Sequence, residues 1–300
     1  MINKENLKKV LDFLEFTHRK EIYTYKNTIL GYTIVVDFAG KGKITYPDGV
    51  IVNDETTSNL TKNENFVVLE CVYRLLKLGY KPECIELEPK WEAPHDIGGG
   101  GKADVLVKDN AGESFLLIEC KTWGKEFDNY WKKTEQDGDQ LFFYAVQKRS
   151  TQYLCMYASN WDNDELVRKS NIISLKDNTA TLESFDEPIS FEKANDKSSL
   201  FAAWNITYGK YSFKNGIFED TCIPYLIEEK GRDISNITEI GHDDIQKKYH
   251  EFTTILRQHN VSGRENAFDK LVNLFLAKIV DEIRNSDKLQ FYWGGPQYDD

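Results

Sequence analysis

Two short apolar segments separated by a turn constrain this chain more than any other feature. Lys102-Ala103-Asp104-Val105-Leu106-Val107 and Leu116-Leu117-Ile118-Glu119-Cys120-Lys121 flank the turn residues Ala111 and Gly112, a pattern that reads as a β-hairpin. A hairpin centred there sets residue 104 opposite residue 119, where cross-strand Cβ atoms lie roughly 4.5–5.5 Å apart. Two carboxylates, Asp104 and Glu119, then face each other. Strand alternation sends Lys121 to the face of Glu119 and turns Ile118 and Cys120 into the core. Facing like charges destabilise a sheet unless something joins them, and a hard divalent cation such as Mg²⁺ takes oxygen ligands held this way. The simpler alternative is a surface hairpin carrying charges on its wet face. Against it, Thr122-Trp123-Gly124 ends the second strand abruptly beside the charged cluster.

Composition narrows the setting. With 300 residues, 40% hydrophobic and 29% charged, the chain reads as globular and large enough for one domain or one and part of a second. It has no apolar run of bilayer length and no signal-peptide pattern at Met1-Ile2-Asn3-Lys4, so a cytoplasmic protein without a membrane partner is expected. The five cysteines are widely spaced with no C-x-x-C pair, which favours reduced core thiols over disulfides or zinc. A formal net charge of −11 argues against a dedicated nucleic-acid coat but leaves local basic groups free to track a phosphate backbone.

Helical periodicity over residues 5–16 predicts an opening amphipathic helix, and alternation from Ile22 to Val52 around Tyr46-Pro47-Asp48-Gly49 predicts a small antiparallel sheet. Thr61-Lys62-Asn63-Glu64 has the form of a capping box ahead of a helix reaching about Leu78, stopped by Gly79. Glu70, Arg74 and Lys77 form that helix's polar stripe, and Glu70 is either half of an exposed pair with Arg74 or a carboxylate aimed at the hairpin. The glycines Gly98 to Gly101 lead into the Asp104 segment, with His95 nearby, but lack the pattern of a phosphate-binding P-loop. Residues 128–148 read as helical with a break at Asp137-Gly138, and Tyr153 to Ala158 as a strand buried on both faces, reached through a helical crossover. Asp37-Phe38-Ala39-Gly40-Lys41-Gly42 fits a cofactor-turn pattern, yet the chain continues as a strand, so it carries no site. Residues 172–211 look strand- and turn-like.

With Gln140-Leu141-Phe142-Phe143-Tyr144 following Ile118-Glu119-Cys120-Lys121, the order of motifs resembles the PD-(D/E)XK nucleases that carry a Q-x-x-x-Y helix. Within them it is most similar to the amino-terminal nuclease of type I restriction R subunits and fused restriction-modification enzymes. The resemblance covers about residues 20–175 and implies a restriction-endonuclease-like α/β core, a mixed central sheet flanked by helices, at about 61–170. An amino-terminal β decoration and carboxyl-terminal helices would complete it, with the nuclease domain at 1–240. It further implies that Asp104, Glu119 and the Cys120 carbonyl hold Mg²⁺, or Mn²⁺ in its place. Lys121 would orient the attacking water, Glu70 would supply the helix acid, and Gln140 and Tyr144 would contact DNA or brace the site. Ala103 stands where the family name implies Pro, and Lys102 where related sequences often carry Arg. Residues 266–282 resemble the helical lead-in to an N6-adenine DNA methyltransferase, so residues 241–300 are expected to be helical and the chain a piece of a longer protein.

The expected activity is Mg²⁺-dependent cleavage of double-stranded DNA in a restriction system, beside other restriction-modification domains or subunits. A non-catalytic DNA-binding or interaction module on the same fold, or a repair exonuclease or junction resolvase, are the alternatives.

Overall fold

A computed structural model of the chain describes residues 1–28, 30–89, 102–109, 111–214, 264–284 and 289. The chain divides into two compact units, residues 1–222 with 296–298 and residues 223–295 with 299–300. The glycines before Asp104, His95 and Cys222 lie outside the described residues.

The first unit is mixed α/β. Four antiparallel strands, β1 (Thr17–Arg19), β2 (Ile22–Asn27), β3 (Tyr32–Asp37) and β4 (Lys43–Thr45), form a small sheet in chain order. The larger sheet is mixed and has seven strands in the order β11 (Phe213–Lys214), β10 (Glu165–Ser174), β9 (Tyr153–Asp162), β8 (Ser114–Cys120), β7 (Val105–Lys108), β6 (Ile85–Leu87) and β5 (Ile51–Val52). The turn at 46–49 therefore does not close a hairpin. It hands the chain from the small sheet to the edge of the large one, where Ile51 and Val52 run parallel to β6.

Helices cover both faces of the large sheet. Helix α1 (Leu7–Phe13) and helix α2 (Asn63–Lys77) contribute Leu7, Val10, Cys71, Val72 and Leu75 to a core shared with Leu116, Ile118 and Cys120 of β8. On the opposite face, Phe127 of α3 (Lys125–Asp137) and Leu141, Phe142 and Tyr144 of α4 (Asp139–Gln147) pack with Leu106, Leu117, Leu154 and Met156. Alternation along β8 thus feeds two cores rather than one core and a wet surface, and all seven of its residues are buried. The surface-hairpin alternative is excluded by that burial. Strand β8 pairs parallel to β9 through the α3–α4 crossover, since parallel neighbours need a connection of this length.

The predicted register holds. Val105 faces Ile118 and Leu106 faces Leu117, so the same ladder extended by one residue sets 104 opposite 119. A bulge between Val107 and Lys108 shifts the register near the turn. The Asp109 Oδ1 atom accepts from the backbone N–H groups of Ala111 at 2.9 Å and Glu113 at 2.8 Å, closing a longer loop than a two-residue hairpin turn.

Helix α2 ends as expected. Gly79 at φ +93° lets its own N–H reach the Leu76 carbonyl and that of Tyr80 reach the Leu75 carbonyl, a Schellman closure. Its start differs: the N-cap is Lys62 with no side-chain cap, because Thr61 bonds to Asn59 and Glu64 is drawn elsewhere. The segment 172–211 is also more helical than its composition suggests. Helix α5 (Thr179–Glu183) and helix α6 (Lys197–Ala202), the latter opened by an Asp196–Ser199 capping box, precede a π-helical turn at Ala203–Thr207. Cys71, Cys84, Cys120 and Cys155 are buried free thiols. In the second unit, helix α7 (Arg264–Arg284) carries an ion pair between Lys278 and Glu282.

The α3–α4 break is forced by Gly138, which sits at φ +82° with its missing Cβ position 2.9 Å from the Phe142 side chain. Gly138→Ala is expected to lower the unfolding free energy by about 2 kcal/mol, from left-handed strain and the clash together. A urea titration reading the midpoint at unchanged slope measures it.

Candidate active site

Asp104 sits one residue before the β7 ladder, on a segment held from several sides. The Tyr144 hydroxyl donates to the Lys102 carbonyl at 2.9 Å, and the Glu88 N–H donates to the Asp104 carbonyl at 3.0 Å. The Cys120 N–H donates to the Asp104 side chain, to Oδ2, at 2.7 Å. That last bond brings the carboxylate onto the end of β8.

Glu88 itself is a brace that sequence reasoning missed. It adopts φ +53°, is buried, and its carboxylate accepts from the N–H groups of Asp54, Thr56 and Thr57 at 3.0, 3.2 and 2.9 Å and from the Thr56 hydroxyl. Lys102 Nζ lies 3.5 Å from Glu88 and 3.0 Å from Asp54. Four donors on one buried carboxylate offset its desolvation and tie the loop at 54–57 to the strand end carrying Asp104. The one signal in the sequence was an acid closing the apolar strand Ile85-Glu86-Leu87.

Lys121 is the centre of the cluster. Its Nζ donates to Glu119 Oε1 at 2.7 Å and to Glu64 Oε1 at 2.8 Å, and it lies 4.6 Å from the Tyr130 ring centroid, within cation–π range. Its backbone N–H donates to the Tyr157 carbonyl on β9 at 2.9 Å. In a planar trans peptide the preceding carbonyl points the other way, so the Cys120 C=O is directed towards the β7 side, where Asp104 lies. Asp104, Glu119, Lys121 and that carbonyl are therefore brought together, as the register predicts.

The acid that α2 brings to Lys121 is Glu64, at 2.8 Å, and not Glu70. Glu70 is buried, with Oε2 accepting from the Tyr157 hydroxyl at 2.8 Å and Oε1 from Arg168 Nε at 2.7 Å. The two acids stand six residues apart on α2, which separates them by about 9 Å along the axis and roughly a third of a turn around it, so one helix cannot aim both at the same point. Glu70 joins α2 to β9 and β10, and with Arg74 buried as well, neither member of the expected pair is exposed. Tyr144 braces the Asp104 segment, and its own hydroxyl pKa is raised by burial and then by Glu119 and Asp104. Gln140, one turn earlier on α4, has a buried Oε1 without a hydrogen-bond partner.

The electrostatics of the cluster leave it short of positive charge. Burial raises the Asp104 pKa well above the usual carboxylate value and Glu119 and Glu64 raise it further, against the opposing pull of Lys121 and the Cys120 N–H. Glu119 is raised by burial, with Lys121 opposing. Burial disfavours the Lys121 cation, but Glu119, Asp104 and Glu64 outweigh it and hold the ammonium charged. Three carboxylates around one ammonium leave a surplus of two negative charges when all are ionised. Glu119 Oε2 is buried with no hydrogen-bond partner, an orphan that normally costs about 1–3 kcal/mol. Among the described residues no three His, Cys, Asp or Glu side chains form a ready metal cage. Two carboxylates and a backbone carbonyl, all hard oxygens, nonetheless fit Mg²⁺, which is commonly held by one or two carboxylates with waters completing its shell.

Two outcomes are expected from stability measurements. A carboxyl whose native pKa is raised weakens the fold as pH climbs from its unfolded value, near 4, through its native value, and the penalty is complete above that. Asp104→Asn, which keeps an oxygen for the Cys120 N–H, should therefore raise the metal-free melting temperature at pH 8 more than at pH 4. In the unsubstituted protein at pH 8, Mg²⁺ at about ten times its Kd should add roughly 1.4 kcal/mol, or about 3–5 °C, and Asp104→Asn should abolish that gain. Glu70→Ala should cost about 3–5 kcal/mol by removing the buried carboxylate to which Arg168 and the Tyr157 hydroxyl both donate, whereas Glu64→Gln should leave the fold intact; thermal melts of both variants read the difference. No protein-family model matches this chain and no curated protein matches its sequence.

Proposed function

We propose that the amino-terminal unit is a Mg²⁺-dependent deoxyribonuclease of the restriction-endonuclease type, with a restriction-endonuclease-like core. The observation that carries the reading is the convergence of Asp104 and Glu119 on the end of a buried central strand, with Lys121 between Glu119 and Glu64. A structural ion-pair cluster would be expected to balance its charges and satisfy its oxygens. This one has surplus acid and an orphaned Glu119 oxygen.

Asp104, Glu119 and the Cys120 carbonyl would hold the metal, which when bound polarises the scissile phosphate and lowers the pKa of water. Lys121 Nζ, carried on the same strand two residues beyond Glu119, orients the attacking water by hydrogen bonding. Because its pKa is raised, the amine remains an ammonium at neutral pH and acts as a donor and a stabiliser of developing phosphate charge rather than as a general base. Glu64, sharing Lys121, sets the amine's position and is the group that yields when a water takes its place. Gln140, one turn before Tyr144 on α4, would contact DNA or brace the site in this reading. The double-stranded DNA substrate, the restriction-modification setting and a cytoplasmic location belong to this reading; among the described residues no helix is long and apolar enough to cross a membrane.

The test is cleavage of supercoiled and linear DNA with Mg²⁺ or Mn²⁺ by the longest available form of the protein. Asp104→Ala and Lys121→Ala are each expected to reduce turnover at least about 100-fold, the scale of losing a transition-state contact, with folding verified by circular dichroism. Equal cleavage by all three proteins would refute the assignment. DNA binding without turnover at any divalent ion would instead favour the non-catalytic module, and a requirement for DNA ends or branches the exonuclease or resolvase.

A further inference from the structure

Helix α3 begins four residues after Lys121 and runs past the cluster, and its charges are unevenly engaged. Its acids are committed to the protein itself. Glu126 bonds to the Thr122 N–H at 3.2 Å and to its hydroxyl, Asp128 pairs with Lys169 at 2.7 Å, Glu135 accepts from Trp131 Nε1 at 3.0 Å, and Asp137 lies 3.7 Å from Lys197. The lysines are not so committed. Lys125 and Lys132 have no ion-pair partner among the described residues, and Lys133 lies over the Tyr130 ring at 5.0 Å.

At 100° per residue, Lys125, Lys132 and Lys133 fall within about a quarter to a third of the helix circumference, with the amides of Asn129 and Gln136 between them. All five are exposed. A shallow groove on this face is lined by Glu126, Asn129, Tyr130, Lys132, Lys133 and Gln136. Tyr130 lines it, and the same ring lies 4.6 Å from Lys121 Nζ, so one side chain links the groove to the acid cluster. In a chain of net charge −11, a stripe of ammonium groups alternating with amides, none of the three lysines in an ion pair among the described residues, matches a polyanion and disfavours a basic or apolar partner surface. Ammonium and amide donors spaced along one helix face are the groups that hold phosphate oxygens without reading bases.

We propose that the Lys125–Gln136 stripe of α3 is the phosphate-backbone track that delivers duplex DNA to Lys121. The inference rests on the nuclease reading above for the identity of the polyanion. It assigns the stripe to affinity and register, and sequence preference to other parts of the molecule.

The test measures binding of a fluorescent 20-base-pair duplex in EDTA across 50–200 mM NaCl. The full chain is compared with Lys125→Gln/Lys132→Gln/Lys133→Gln and with a charge-matched control, Lys4→Gln/Lys20→Gln/Lys41→Gln, at exposed positions outside α3. The stripe variant should bind at least about tenfold more weakly at 100 mM and lose about 2–3 units of the slope of log K against log salt, near 0.9 per phosphate contact, while the control stays within about twofold. Its Mg²⁺-induced thermal shift should be unchanged, since none of the three residues belongs to the acid cluster. A stripe variant that keeps the full slope, a control that loses as much, or no duplex binding by the unsubstituted chain would each overturn the proposal. Mg²⁺-dependent cleavage measured alongside separates the two readings: cleavage that persists with an unchanged salt slope refutes the track and leaves the nuclease standing. Salt-dependent binding lost with the stripe but without any cleavage supports the track and refutes the nuclease.

Discussion

The Lys121 ammonium is what allows three carboxylates, Glu119 buried and Asp104 and Glu64 half-buried, to share one corner of this fold. An ionised carboxylate buried without a counter-charge is too costly to survive and protonates instead. By bridging Glu119 and Glu64 at 2.7 and 2.8 Å, the amine keeps a strand acid and a helix acid in contact across two elements that arrive from different parts of the chain. Its backbone serves a second purpose, since the bond from the Lys121 N–H to Tyr157 fixes the side to which the Cys120 carbonyl turns. Both the side-chain and the main-chain geometry of the corner therefore pass through one residue.

Around that residue the fold supplies rigidity by polar contacts rather than by apolar packing alone. Tyr144 from α4 holds the Lys102 carbonyl, and Glu88 from the end of β6 holds the Asp104 carbonyl while gripping the loop at 54–57. On the far side, Glu70, Tyr157 and Arg168 lock α2 to β9 and β10. Glu88 and Glu70 are buried carboxylates with several charge-assisted bonds each, and such networks specify a single arrangement because a half-made version is worse than none. The site occupies the place where helix and strand braces meet.

Much of this could be read from sequence because it depends on short-range periodicity. The pairing of 104 with 119 followed from strand alternation and a turn, and survived a bulge that fell on the turn side of the pair. The α3–α4 break followed from Gly138, and the parallel strand from the apolar run at 153–158. What could not be read depends on rotation and on distant partners. Glu64 looked like a capping residue, and only the orientation of α2 against β8 shows that its carboxylate is drawn to Lys121. Glu70 had the right type on the right helix, but its partner Arg168 lies almost a hundred residues away, beyond any local pattern. Glu88 gave almost no signal, since its role comes from loop amides that converge on it in space. Likewise the two short strands Ile51–Val52 and Ile85–Leu87 join by a parallel pairing that alternation alone does not announce.

The burial of β8 on both faces also has a temporal side. Backbone amides in a strand flanked by two cores exchange with solvent only when the whole unit opens, whereas binding loops open locally and often. Asp104 is tethered to the Cys120 amide and Lys121 to Tyr157, so the clustered side chains ride on the last part of the unit to loosen. Fluctuations at the surface can then change what reaches the cluster without changing the cluster itself. Such a division lets access to the carboxylate–ammonium cluster vary in time while the cluster itself keeps one geometry.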